Sequence, residues 1–151
     1  MKLNRIVCLG ALLAGVLFCV AAFPQKPTKQ FLNFEGAKPP GYTHVVTSPP
    51  GRMIFISGQG GTRDGKLPGD FAAQATNTFE NIRRCLNLAG AKFEDIVKIN
   101  YYVTDIKYTG DLRRIRANYL NMNAPPAATL VQAGLGAGML LEVEAIAIVP
   151  Q

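Results

Sequence analysis

Leu140-Leu141-Glu142-Val143-Glu144-Ala145-Ile146-Ala147-Ile148-Val149, close to the C-terminus, is the stretch that decides the fold. Successive side chains of a β-strand point to opposite faces, and here both sets are apolar apart from Glu142 and Glu144. A strand that is apolar on both sides must be covered on both sides. It belongs in the middle of a sheet or at a contact between subunits.

Upstream segments supply its neighbours. Thr129 to Ala133, after Pro125-Pro126, reads as a strand, and so does Ile96 to Thr104, which is rich in β-branched and aromatic residues. In the latter, Val97, Ile99, Tyr101 and Val103 share one face, and Lys98, Asn100 and Tyr102 the other. Tyr42 to Thr47 and Met53 to Ser57 form two more strands, joined by the turn cluster Ser48-Pro49-Pro50-Gly51. A flexible loop follows, carrying Gly58, Gly60, Gly61 and Gly65. Asp70 then caps a helix running to about Leu88, with Ala72, Ala75, Phe79, Ile82, Leu86 and Ala89 as its apolar stripe and Gly90 as its stop. A second helix spans Asp111 to Asn121, with Leu112, Ile115 and Tyr119 inward. The order strand-strand-helix-strand-helix-strand-strand predicts an α+β fold with both helices on one face of a mixed sheet. The opposite face shows Leu140, Ile146 and Ile148, which an isolated chain would expose; packing against further copies would cover them.

The 151 residues allow one domain, and 48% hydrophobic with 17% charged residues is the composition of a packed protein. Its N-terminus differs from the rest. Lys2 and Arg5 precede an uncharged apolar run from Ile6 to Phe23, and Ala21-Ala22 offers a small-residue cleavage point. This is the layout of a secretory signal over residues 1–22 and predicts a secreted or periplasmic protein, a retained membrane anchor being the alternative. Cleavage removes two of 16 basic residues and none of the 10 acidic ones, leaving 14 − 10 = +4. It also removes Cys8 and Cys19, so Cys85 remains alone, mid-helix, without a disulfide partner. Residues 23–40, with Pro24, Pro27, Pro39 and Pro40, read as a linker, and 41–150 as the domain.

Five segments in order carry a family likeness. They are Gly41-Tyr42-Thr43-His44, Ile56-Ser57-Gly58-Gln59, Ala72-Ala73-Gln74-Ala75 with Asn81 and Ala89-Gly90, Asp95-Ile96-Val97-Lys98, and the ending Glu142-Val143-Glu144-Ala145-Ile146-Ala147. Together they resemble the Rid (reactive-intermediate deaminase, YjgF-type) family over roughly Pro40 to Val149. The resemblance implies a chorismate-mutase-like fold and a homotrimer with three clefts between subunits. It implies that each cleft is lined by Tyr42, Ser57, Gly58, Glu142 and the residues around a Pro-Ala-Arg segment. It further implies that Glu142 positions a water for attack on an imine carbon, without any cofactor, while the segment's arginine grips a substrate carboxylate through paired hydrogen bonds.

That arginine is replaced here by Ala128, as the family cysteine nearby is by Leu130. Losing a charged partner in a buried site costs roughly 2–5 kcal/mol. Arg116 stands where the metabolic deaminases tend to have asparagine, and Gly134 to Gly138 is a shortened loop. These departures resemble a sub-branch of the family that lacks the arginine. Two functions follow as expectations: hydrolysis of an imine or enamine to a ketone and ammonia, or an exported trimer that holds a small apolar or aromatic metabolite unchanged. Arg116 is either a solvated helix residue or a replacement cation in the cleft. Glu142 is either the catalytic carboxylate or a trimer-contact residue. With His44 as the one histidine, neither a Ser57-based triad nor a metal site is expected. The glycines around Gln59 lack the Lys-Ser/Thr of a nucleotide loop. Arg83, Arg84, Arg113, Arg114 and Arg116 sit on helices without a stacking platform, so nucleic acid is not an expected partner.

Overall fold

The computed structural model describes residues 28–37, 39–136 and 138–151, so the signal expected over residues 1–22 lies outside the described residues. Six strands and two helices run in the order β1 (Gln30–Leu32), β2 (Val45–Thr47), β3 (Gly51–Gly60), α1 (Phe71–Leu88), β4 (Ile96–Val103), α2 (Thr109–Arg116), β5 (Ala127–Gln132) and β6 (Leu141–Pro150). The main sheet has the order β3-β6-β4-β5, with β4 and β5 parallel across the α2 connection and the other pairs antiparallel. β6 is therefore interior, flanked on both edges, as its apolar composition requires. The fold is α+β, with both helices on one face.

Alternation along β6 sets the two faces. Leu141, Val143, Ala145 and Ala147 are buried beneath the helices, and Glu142, Glu144, Ile146 and Ile148 point the other way. Met53 and Phe55 of β3 remain 54% and 72% exposed, so the open face is strongly apolar. Leu140 does not join it. The residue precedes β6, donates its amide to Gln74 Oε1 (2.8 Å) and packs against the core.

α1 is capped as its sequence dictates, with Ala73 donating to Asp70 Oδ1 at 2.9 Å and Gly90 ending the helix at φ +61°. Ala75, Phe79, Ile82 and Leu86 of the expected stripe are buried, joined by Phe71, Gln74 and Thr78, and Cys85 is half-buried against the core. Gln74 acts as a clamp: its amide donates to the Pro68 and Gly138 carbonyls (2.7 and 2.8 Å) in addition to the Leu140 bond. The glycine loop expected to be flexible is pinned to the helix. Asn77 donates to the Gly61 carbonyl, and Asn81 to those of Gly60 and Thr62, at 2.9–3.1 Å.

Several segments differ from expectation. In β4, an irregularity between Ile96 and Lys98 in the pairing with β6 puts Ile96, rather than Val97, on the buried face. α2 starts at Thr109 and stops at Arg116, five residues short, because three-residue turns take over as Asn118 and Tyr119 donate to the Ile115 and Arg116 carbonyls. The first expected strand shrinks to Val45–Thr47, since Thr43 is tied to the loop before β5 through its amide to Pro126 (3.2 Å) and its hydroxyl to Pro125 (2.6 Å). Gln30–Leu32, placed in the linker, instead forms β1 and pairs with β2. Its preceding residue, Lys29, donates to the carbonyls of Glu94 and Ile96 and fastens the segment to the start of β4.

Candidate functional site

β3 bears an irregularity between Ile56 and Gln59, where Ser57 and Gly58 together lie opposite a single residue of β6. This turns Gly58 towards the Glu142 side chain. A methyl group built on Gly58 would lie 1.9 Å from Glu142 Oε1, so only glycine lets the carboxylate rest there. Ser57 is exposed beside them and lines a cavity of about 270 Å³ on the open face, together with Phe55, Lys98, Asn100, Glu144 and Ile146. Glu144 accepts from Asn100 Nδ2 (2.7 Å) and the Tyr102 hydroxyl (2.9 Å). These donors hold its carboxyl below the ordinary carboxylate range, while the Glu144 bond pushes the Tyr102 phenol up. Asn100 Oδ1 is buried there without a partner.

Tyr42, Arg116 and Ala128 meet elsewhere. They line a cavity of about 200 Å³ between α2 and the β5 edge, with Tyr101, Arg113 and Leu130. Arg116, expected to be either solvated or in the cleft, is only 7% exposed, and its guanidinium lies over the Tyr101 ring at 5.4 Å. Gly41, at φ +88°, passes close over the guanidinium: a methyl group there would lie 1.7 Å from Arg116 Nη2. Among the described residues no carboxylate approaches Arg116 within 4.0 Å, and its Nε has no hydrogen-bond partner. The Tyr101 hydroxyl is likewise buried and unpartnered. Burial pushes its pKa up to about 12, against the opposing pull of the Arg116 charge. Arg113 and Arg114 are exposed as expected, the latter paired with Asp111 at 2.9 Å.

The six candidate residues thus fall into two groups. Ser57, Gly58 and Glu142 belong to the open face; Tyr42, Arg116 and Ala128 belong to the helix side and the β5 edge. A single protomer does not join them into one cleft. His44 takes no part in either group: its Nδ1 faces Asn33 Oδ1 at 2.9 Å and its ring packs against Phe34 and Tyr42. Tyr101 and Gly41 are the site residues that sequence reasoning passed over. Tyr101 reads as one more core residue of β4, and only the positive φ of Gly41 signals its role.

Residues 36–149 match the family model described as endoribonuclease L-PSP, the RidA/YjgF family. The chain belongs to this family. Among its Rid relatives, the 2-iminobutanoate/2-iminopropanoate deaminase of Escherichia coli is 33% identical over 106 residues, covering 65% of this chain and 80% of that protein. The rat deaminase of the same name is 35% identical over 100 residues, covering 64% and 73%. Among solved structures, a Rid-family protein from Yersinia pestis superposes with a TM-score of 0.71 at 28% identity, covering 82% of this chain and all of that one. RidA from an Antarctic Psychrobacter gives 0.63 at 32% identity, covering 74% and 94%. The Rid fold predicted from the five segments is therefore the fold of the chain.

Proposed function

We propose that this Rid-family protein binds small metabolites in clefts completed between copies of a homotrimer and hydrolyses an imine or enamine there to a ketone and ammonia. One observation carries the reading: the two groups of candidate residues lie on opposite sides of the sheet, and a neighbouring copy packed on the apolar open face would let one protomer's carboxylate meet another's guanidinium. In this scheme Glu142, seated against Gly58, orients a water. The water oxygen bonds to the imine carbon as the C=N π pair moves to nitrogen, which takes up a proton. The resulting carbinolamine expels ammonia and leaves the C=O. Arg116 supplies the cation in a cavity where the alanine at position 128 offers none. Nucleic acid has no part in the reading, since Arg83 is taken up by Glu80 (3.6 Å) and the rings of Phe93 and Tyr119, and Arg114 by Asp111.

A second reading, a trimer that holds its ligand unchanged, is favoured by the apolar Ala128 and Leu130 walls. Release of ammonia and keto acid from freshly generated imino acids separates the two. Turnover that falls about a hundredfold in Glu142→Gln supports hydrolysis; no release above background from a trimeric preparation rejects it. Sedimentation tests the assembly, and a monomer would remove the cleft. Export with removal of residues 1–22 completes the proposal, read by the N-terminal mass of protein recovered outside the cytoplasm.

A further inference from the structure

The Arg116 cavity is rich in donors and has no carboxylate in its wall. Arg113 and Arg116 are neighbours one turn apart on α2, and both line it. Like charges so placed repel, and of the three arginines on this helix only Arg114 has an acidic partner. Tyr101, whose buried hydroxyl has no hydrogen-bond partner among the described residues, also lines the cavity. A monocarboxylate would engage one guanidinium and leave the second charge uncompensated. A phosphoryl group carries close to two negative charges at neutral pH and three acceptor oxygens, enough for both arginines and the Tyr101 hydroxyl.

We propose that this cavity binds a doubly charged oxyanion, the phosphoryl head of a small phosphate monoester, gripped by Arg116 and Arg113 with Tyr101 as a hydroxyl donor. The inference rests on the reading above only in treating this cavity as a ligand pocket; it assigns the class of ligand. The organic part of the monoester would lie along Tyr42 and Leu130 towards the cavity mouth.

Calorimetric titration of the full-length trimer with inorganic phosphate, phenyl phosphate and acetate tests the inference. Both phosphates are expected to bind roughly tenfold or more tightly than acetate, and phenyl phosphate more tightly as pH rises through about 6, where a monoester gains its second charge. Arg116→Gln should abolish binding, and Arg113→Gln should weaken phosphate about tenfold while leaving acetate unchanged. Tighter binding of phenyl phosphate than of phosphate supports a monoester; equal binding keeps the dianion and assigns it to the free ion. Acetate binding as well as phosphate, or an Arg113→Gln protein that loses nothing, overturns the inference and leaves imine hydrolysis standing. Phosphate that fails to bind while imino acids still turn over does the same. Loss of turnover with phosphate binding intact sinks the hydrolysis alone.

Discussion

Gly58→Ala isolates the role of Glu142 without touching its carboxylate. The new methyl group would lie 1.9 Å from Oε1 and 2.8 Å from the carboxyl carbon. To regain ordinary contact the oxygen must retreat by about 1.5 Å, and misplacing a catalytic group by ~1 Å costs on the order of 100-fold in rate. Stability should scarcely change, because the position is exposed and the displaced atom is the end of a flexible side chain; about 0.5 kcal/mol or less is expected of such a surface site. The assay is ammonia release from a fresh imino acid, beside a urea-unfolding midpoint on the same preparation. Two groups that act as one unit lose activity non-additively, so the double variant Gly58→Ala/Glu142→Gln should be no slower than Glu142→Gln alone. Full turnover in Gly58→Ala, with folding intact, would refute the claim that this contact places the carboxylate.

Gln74→Leu should destabilise the protein by about 3 kcal/mol in denaturant unfolding, because the Pro68 and Gly138 carbonyls and the Leu140 amide lose their shared partner. Tyr101→Phe should leave unliganded stability unchanged or slightly raised, since its buried hydroxyl makes no hydrogen bond, and yet lower phosphate affinity by about fivefold in the same calorimetric titration. Glu144 titrates below its ordinary value in the folded state, so its contribution to stability is complete above the unfolded pKa near 4.5 and is lost as pH falls through the lower folded value. Unfolding midpoints across that acid range should show a loss in wild type that is smaller in Glu144→Gln.

What the sequence could say about the fold depended on whether a segment is ordered by its own pattern or by a distant partner. β6 and α1 were legible because their apolar spacing, the Asp70 cap and the stop at Gly90 are local signals. β1 was not, because three residues among prolines become a strand only through pairing with Val45–Thr47 and the Lys29 anchorage on β4. The β4 irregularity that exchanges Val97 for Ile96 leaves no mark in the alternation. At the site the same division holds. The Ser57-Gly58 segment and Glu142 carry a motif, and the structure adds why the glycine is needed. Arg116 lies in a run of arginines that reads as a solvated face, and its burial follows from the Gly41–Tyr42 segment folding over it, a long-range contact.

A buried guanidinium without an acidic partner must be stabilised by something in the empty protein. The Tyr101 ring at 5.4 Å contributes about 1–2 kcal/mol as a partly desolvated cation–π contact. Arg116 is also the last residue of α2, where the helix dipole gives a partial negative charge worth about 0.3–1 kcal/mol to a cation. Burying an ion costs several kcal/mol, so these two contacts offset only part of the penalty. On the proposed reading an anion relieves the remainder, in a cavity whose donors already stand in place. Its donors are already fixed by β4 and α2, and binding need order only the exposed Arg113. On the proposed reading Arg116 supplies from α2 the charge that Ala128 on β5 does not carry, and the helix brings Arg113 one turn away on the same cavity. On that reading two neighbouring guanidinium groups suit the cavity to a doubly charged ligand, because a monocarboxylate would compensate only one of them.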